Sequence, residues 1–238
     1  MASHMDPGRD VVFDGDSAVM VTLGHCIDPK INDACVRLGN RVRAANLAGV
    51  RDVVEGYATV TVHFDLRNVS REFVHQEVVR LLGELGGETV EPQTNSIREV
   101  TLPVCYDNEF ALDLADVAAF GRCTQEEVIR IHANLTYRVY MLGFQPGFAY
   151  LGSVNAEIAS PRRETPRINV PAGCVGIAGR QTGVYPCDSP GGWQIIGRCP
   201  SALVDWNSET PFVLRPGDRV KFKPIDRTTY DVLLAESQ

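Results

Sequence analysis

With 238 residues, of which 44% are apolar, the chain is long enough to bury the core of one large domain or of two modest ones. Its formal net charge of -7 argues against nucleic acid as the main partner, because neutralising phosphates requires a basic face. The longest apolar runs are too short to span a membrane. Seven widely spaced cysteines, without a Cys-x-x-Cys pair or a zinc-type His pair, predict a reduced cytoplasmic protein with no metal site.

The first part of the chain predicts a small α/β sandwich. Residues 1–9 contain a Met-Ala-Ser-His-Met start that is typical of a cloning remnant, and we expect this segment to be disordered. Hydrophobic periodicity then predicts, in order, a strand at 16–24, a helix between Asp28 and Gly49, strands at 50–55 and 58–65, and a helix between Ser70 and Gly86. This order favours helices on one face of an antiparallel sheet.

A polar, aperiodic segment at 91–96 marks the predicted domain boundary, which divides the chain into residues 10–92 and residues 97–238. The second domain is predicted to begin with a strand at 97–105 and helices at 111–121 and 124–135, followed by short strands that include 219–224 and 229–235. The frequent Pro and Gly loops between these strands predict a β-barrel or sandwich. The predicted fold class is therefore α+β.

The helix at 124–135 carries two signals. Thr124 and Glu127 match a capping box, in which each side chain satisfies an orphan amide of the other residue. With the preceding helix it has the outline of a helix-turn-helix, but only Arg122 and Arg130 supply positive charge, which favours packing on a sheet over binding to DNA. His132 is a candidate for proton transfer, with a structural histidine as the alternative.

The segment 137–200 concentrates glycine, proline, arginine and aromatic residues, which is typical of loops that build a binding site. Its glycines allow a backbone to approach a ligand closely, while aromatic rings wall the ligand and exposed amides can bind an anion. The candidate substrate-binding residues are Phe144, Pro146, Gly147, Phe148, Gln181, Tyr185, Ser189, Gly191, Gly192 and Trp193. Tight turns and core-filling rings are the alternative interpretation.

The arginine loop, residues 161–167, is the strongest single candidate. Arg162, Arg163 and Arg167 lie beside two prolines that stiffen the backbone, so three planar, always-charged side chains are presented together. Such side chains bind carboxylates or phosphates through paired hydrogen bonds. We take these arginines, with His132, as the candidate catalytic residues. A solvated loop paired with neighbouring carboxylates is the alternative.

The sequence lacks the common self-sufficient catalytic signatures. It has no Walker-type phosphate loop, no Gly-x-Ser-x-Gly nucleophile elbow and no Gly-x-Gly-x-x-Gly motif after a strand. It also lacks the His-x-x-x-His pair of many zinc enzymes. Any chemistry that the chain performs must therefore use other means.

Four blocks, taken in order, resemble the signature of the family of 5-oxoprolinase B subunits. They are Tyr137–Gly152, Pro161–Gly173, Gln181–Pro186 and Ser189–Gly197. Proteins described as allophanate hydrolase subunit 1, as a Kip-type inhibitor of a histidine kinase and as part of the carboxyltransferase domain of urea carboxylase belong to the same family.

The resemblance implies a cyclophilin-like barrel for the second domain and a function shared with other chains. Two partners, a homologous C subunit together with an amidohydrolase-type A subunit, would complete the ATP-dependent opening of 5-oxoproline to glutamate. The chain would form a composite site with the C subunit, and ATP with Mg would be bound by the partner subunit or shared with it. Arg162, Arg163 and Arg167 would hold the substrate carboxylate or a phosphoryl group. Cys174 and Cys199 replace small residues that are frequent in the family, so neither is interpreted as a nucleophile.

Two other functions stay open at this point. The chain could serve allophanate or urea chemistry, although the absence of a Met-Lys-Met motif means that biotin would have to arrive on another polypeptide. It could instead inhibit a histidine kinase through the surface of the helix at 70–86. The sequence also leaves open which chain of the complex binds ATP and whether the arginine loop faces substrate or partner.

Overall fold

The computed structural model describes residues 10–85 and 98–236, so the predictions for residues 1–9 and for the boundary at 91–96 lie outside the described residues. The chain divides into two compact units, Met1–Ser96 and Ile97–Gln238. None of the helices in the described stretches is long and apolar enough to cross a membrane.

The first unit contains a four-stranded antiparallel sheet of order β1-β2-β4-β3. Its elements are β1 (Asp10–Phe13), β2 (Ala18–Thr22), α1 (Pro29–Ala44), β3 (Val50–Glu55), β4 (Thr59–Phe64) and α2 (Arg71–Leu85). The short strand β1 is an addition to the prediction. Helix α1 begins where predicted, because the Asp28 carboxylate accepts hydrogen bonds from the backbone N–H groups of Lys30 (2.7 Å) and Ile31 (3.2 Å).

The core of this unit lies between the sheet and its two helices. Alternate residues of β4, Val60 and Val62, are fully buried and pack in one cluster with Leu38 of α1 and Val78 of α2. Because side chains alternate between the two faces of a strand, this pattern covers one face of the sheet. The predicted α/β sandwich is thereby confirmed.

Within the described residues of the second unit, seven strands form a closed barrel of order β10-β7-β6-β13-β5-β12-β9. The strands of this unit are β5 (Glu99–Cys105), β6 (Thr136–Leu142), β7 (Ala149–Gly152), β8 (Arg167–Val170), β9 (Cys174–Ala178), β10 (Gln181–Val184), β11 (Ser189–Gly191), β12 (Gln194–Arg198) and β13 (Arg219–Ile225). Its helices are α3 (Leu114–Gly121), α4 (Gln125–Ala133) and α5 (Arg227–Glu236). The predicted α+β fold with a β-barrel is confirmed.

The barrel core joins the strands to the helices α3 and α4. Val139 and Ile177 of the barrel wall belong to the same buried cluster as Val117 of α3 and Val128 of α4. Outside the barrel, β8 and β11 form a two-stranded antiparallel sheet. This small sheet carries the end of the arginine loop and places it beside the Ser189–Trp193 segment.

The predicted strand at 229–235 is wrong, because these residues belong to helix α5. Asp226 starts the helix by accepting a hydrogen bond from the Thr229 backbone N–H at 2.8 Å. Tyr230 then packs in a cluster with Phe110, with Leu234 against it. The spacing of four between Tyr230 and Leu234 puts both on one helical face, and this tertiary contact outweighs the β-branched character of the segment.

Candidate functional site

A buried carboxylate, Asp113, organises the arginine loop. Its Oδ1 accepts hydrogen bonds from Arg163 Nη1 at 2.8 Å and Arg167 Nη2 at 2.7 Å. Its Oδ2 accepts from Arg167 Nη1 at 2.9 Å and from the Ile195 backbone N–H at 2.6 Å. Four donors fill the lone-pair positions of the carboxylate, so Asp113 has no capacity left to act as a base.

Sequence reasoning missed Asp113. It lies directly before α3, where an aspartate favours interpretation as a helix N-cap, yet its side chain makes no capping hydrogen bond. The side chain is instead turned toward the arginines, and the residue is only 1% exposed. The hydrogen bond to Asp113 raises the pKa of Arg167, which keeps this guanidinium charged. Because its arginine partners lie 50 residues or more away along the chain, no local pattern identifies this aspartate.

A cavity of about 230 Å³ lies next to this ion cluster. Eight of the predicted site residues line it: Phe144, Phe148, Arg162, Arg163, Tyr185, Gly191, Gly192 and Trp193. Three further lining residues, Tyr150, Pro166 and Pro190, were not predicted. The structure therefore brings the glycine-aromatic loop, the first two arginines and the segment before β12 to one place.

The aromatic floor of the cavity consists of Phe148, Tyr150, Tyr185 and Trp193. The Phe148 ring packs edge-on against the other three, with centroid distances of 5.0 Å to Tyr150, 5.5 Å to Tyr185 and 5.3 Å to Trp193. Phe148 is 1% exposed, whereas Phe144 at the rim is 59% exposed and has a positive φ of 71°. The packed rings thus form an apolar floor, and the exposed Phe144 ring lies at its rim.

The backbone of the Ser189–Trp193 segment closes one side of the cavity. A Cβ added at Gly191 would stand 2.4 Å from the Tyr185 hydroxyl, so glycine is needed there for the close approach. The Arg163 backbone N–H donates to the Gly192 carbonyl at 2.8 Å, which joins the arginine loop to this segment. Burial raises the pKa of Tyr185, although the Trp193 amide and the charge of Arg162 act in the opposite direction.

Six predicted site residues do not line this cavity: Arg167, His132, Pro146, Gly147, Gln181 and Ser189. Arg167 pairs with Asp113 instead. Gly147, with φ of 84°, forms a turn in which a Cβ would stand 2.2 Å from Val204. Gln181 begins β10, and Ser189 is buried in β11.

His132 lies in the barrel interior and is fully buried. Its Nδ1 is 2.8 Å from the Tyr106 hydroxyl, and its Nε2 is 3.0 Å from Thr182 Oγ1. Because the Thr182 hydroxyl donates to the Gly176 carbonyl at 2.9 Å, it accepts from Nε2–H, which leaves Nδ1 to accept from Tyr106. The ring stacks on Phe222, and burial lowers the pKa of His132 to about 3. The structure gives this imidazole a neutral, satisfied place in the core.

In the part of the chain that the structure describes, no group of three or more His, Cys, Asp or Glu side chains is placed to hold a metal ion. The arrangement can bind a small molecule that has an apolar body and a negative charge, because two arginines stand beside aromatic rings.

The family described as carboxyltransferase domain, subdomain C and D, matches residues 10–214 of the chain. The chain is 40% identical over 229 residues to the 5-oxoprolinase B subunit of Bacillus subtilis (strain 168), a match that covers 94% of this chain and 95% of that protein. A more distant relative is the urea amidolyase of Lachancea kluyveri, with 23% identity over 261 residues that cover 96% of this chain and 14% of that protein.

Among solved structures, the chain is similar to the crystal structure of TTHA0988, with a TM-score of 0.76 and 37% identity. That match covers 88% of this chain and 40% of the TTHA0988 chain, so this chain spans less than half of that length. The family match covers most of the chain, and the similarity to the Bacillus subtilis protein runs nearly end to end. The chain therefore belongs to the family of 5-oxoprolinase B subunits, whose members carry the carboxyltransferase domain, subdomain C and D.

Proposed function

We propose that this chain is the B subunit of an ATP-dependent 5-oxoprolinase. With a homologous C subunit it forms a composite site that activates 5-oxoproline for ring opening to glutamate, and an amidohydrolase-type A subunit then completes the reaction. The observation that carries the proposal is the cavity in which Arg162 and Arg163 face an aromatic floor, in a chain whose relatives include 5-oxoprolinase B subunits.

The size and lining of the cavity support a ligand such as 5-oxoproline. A volume of about 230 Å³ is below the roughly 300–1,000 Å³ of pockets for drug-sized molecules, which suits one small ring. Of the described residues that line the cavity, two are cationic and none is acidic. The methylene groups of a five-membered lactam can pack on the floor while its carboxylate meets an arginine.

The lining residues supply binding groups but no strong base or nucleophile, which supports a shared site. Burial keeps the pKa of the Tyr185 hydroxyl raised, so this group stays protonated at neutral pH. Asp113 is saturated by its four donors. We therefore assign the groups that attack the lactam to a partner chain.

At about 230 Å³ the cavity is small for a whole nucleotide, so we assign ATP and its Mg to a partner chain or to a surface shared with it. This favours the substrate carboxylate over a phosphoryl group as the anion beside Arg162 and Arg163. We also place the protein in the cytoplasm. All seven cysteines lie within the described residues and none forms a disulfide, which is typical of reducing compartments.

The test is reconstitution with the A and C subunits, followed by measurement of ATP-dependent conversion of 5-oxoproline to glutamate. Gly192→Leu is the informative variant, because a Cβ at Gly192 meets Pro166 at an ordinary 3.5 Å while a larger side chain narrows the cavity. We expect turnover to fall about tenfold or more, the effect of misplacing a bound substrate. Gly83→Leu, on the exposed face of α2 and with no atom within 4 Å of its added Cβ, is the matched control.

The proposal fails if the three subunits together do not convert 5-oxoproline, or if Gly192→Leu is as active as Gly83→Leu. A second candidate, allophanate or urea chemistry including carboxyl transfer, is favoured by the similarity to urea amidolyase. Supplying allophanate or urea in place of 5-oxoproline to the same complex separates the two, since the true substrate is the one consumed with ATP.

A further inference from the structure

Within the function proposed above, on which this inference rests, we propose that the three arginines have different tasks. Asp113 is a positioning residue that holds Arg163 and Arg167 and thereby fixes the arginine loop. Arg162 is the side chain that binds the carboxylate of the ligand and makes the site specific for an anionic cyclic amide.

The ion cluster engages Arg167 on the side of Asp113 rather than in the cavity. Both terminal nitrogens of Arg167 are engaged with the two oxygens of Asp113, at 2.9 and 2.7 Å, in the paired geometry that makes such contacts strong. Arg167 is absent from the cavity lining. We therefore assign Arg167 to Asp113 rather than to the ligand.

Arg163 is a link between the ion cluster and the cavity. Its Nη1 donates to Asp113 at 2.8 Å, and its backbone N–H donates to Gly192 at 2.8 Å. Its Nε is buried and finds no acceptor among the described residues. The side chain is thus held in one orientation, and its charge is already balanced in part by Asp113.

Arg162 differs from both. Within the described part of the chain no carboxylate pairs with Arg162, which is exposed and lines the cavity. Its Cζ lies 6.0 Å from the centroid of the Trp193 ring in the aromatic floor. The guanidinium therefore stands over the apolar base with its donors available, where a carboxylate attached to a ring on that base can reach them.

Asp113 connects this arrangement to the barrel. Its carboxylate accepts a hydrogen bond from the Ile195 backbone N–H, and its own backbone N–H donates to the Ile195 carbonyl at 2.7 Å, two residues after Trp193. It also holds the loop on both sides of Pro166, which lines the cavity, through Arg163 and Arg167. Asp113 thereby sets the distance between the arginine loop and the aromatic floor.

The first experiment measures calorimetric binding of two probes to the purified chain: 5-oxoproline, and 2-pyrrolidinone, the same ring without the carboxylate. The wild-type chain is expected to prefer 5-oxoproline by about tenfold or more, the value of one charged hydrogen bond. Arg162→Gln is expected to abolish the preference while binding of 2-pyrrolidinone stays within about twofold. Arg162→Lys should restore part of the preference, because it returns the charge without the paired donors.

The second experiment tests the positioning role. Asp113→Asn is expected to weaken both probes about tenfold, because the loop moves away from the floor and both ligands lose the cavity wall. Arg167→Gln, which leaves Asp113 bound to Arg163 and Ile195, should have the same effect and stands in if Asp113→Asn does not fold. The effects of the two substitutions on affinity should add only in part, since both disrupt the contact between Asp113 and Arg167. A merely structural Asp113 would lower the melting temperature and leave the affinity of the folded protein unchanged.

The inference is overturned if the wild-type chain binds neither probe, if Arg162→Gln keeps the preference for 5-oxoproline, or if Arg167→Gln leaves both affinities unchanged. Its failure is distinguishable from failure of the proposed function. A carboxylate preference that depends on Arg162, in a chain whose complex does not turn over 5-oxoproline, removes the function and keeps the division of tasks. If the complex turns over 5-oxoproline but the carboxylate preference does not depend on Arg162, the function is kept and the division of tasks is removed.

Discussion

His132 is a buried polar residue of the barrel domain whose hydrogen bonds are satisfied within the protein. Its two ring nitrogens meet Tyr106 and Thr182, and its neighbour Tyr137 donates from its hydroxyl to the His132 carbonyl at 2.9 Å. Burial raises the pKa of Tyr106 and of Tyr137 as it lowers that of His132, so all three groups stay neutral near pH 7.

This environment predicts a pH dependence of stability. The pKa of His132 is about 3 in the folded protein against an ordinary 6.5. Between these two pKa values the His132 imidazole binds a proton in the unfolded chain but not in the folded chain. The free energy of unfolding therefore falls as the pH drops below 6.5, and His132 does not change it above that pH. Urea unfolding at pH 7 and at pH 5 should show a loss about 2 kcal/mol larger in the wild type than in His132→Gln. Equal losses in the two proteins would show that this imidazole titrates normally.

At the scale of the elements, helix α4 begins as its local sequence predicts. The Thr124 Oγ1 accepts from the Glu127 backbone N–H at 3.2 Å, and the Glu127 carboxylate accepts from the Thr124 backbone N–H at 2.8 Å. The predicted capping box is confirmed. The helix continues to His132, so this local signal also helps to place a buried residue of the barrel.

Removal of the cap should therefore cost stability without changing the barrel. Thr124→Ala is expected to lower the free energy of unfolding by about 1 kcal/mol, because one amide at the start of the helix loses its acceptor. Chemical denaturation measures this loss, and Thr124→Ser, which keeps the hydroxyl, is the control. An unchanged midpoint for Thr124→Ala would mean that water replaces the cap at no cost.

At the scale of the whole molecule, the seven cysteines differ in accessibility. Cys26 and Cys187 are exposed and Cys123 is half-buried. The buried thiols are Cys35, Cys105, Cys174 and Cys199. Burial raises the pKa of Cys174 to about 11, which leaves almost no reactive thiolate at neutral pH.

A thiol reagent should therefore distinguish folded from unfolded protein. Titration of the native protein with Ellman's reagent is expected to modify Cys26 and Cys187 quickly and Cys123 slowly, because burial also raises the pKa of Cys123. The remaining four should react only in denaturant. Cys187→Ser should remove one fast-reacting thiol, and rapid modification of Cys174 in the native state would contradict the buried position of β9.

The sequence by itself determined the features that depend on residues close together in the chain. Strand alternation, the capping box and the glycine-aromatic and arginine loops were predicted because each is encoded within a few residues. The α5 helix was the exception, because its contact with Phe110 lies across the barrel domain rather than along the local sequence.

Only the tertiary structure decided which of the site candidates meet. Arg162 lines the cavity whereas Arg167 does not, and His132 is buried in the core. It also identified Asp113, whose bonds to the arginines join residues at least 50 positions apart. Hydrogen bonds and burial between distant segments are set by the closure of the barrel and by the β8–β11 pairing, and neither leaves a periodic pattern in the sequence.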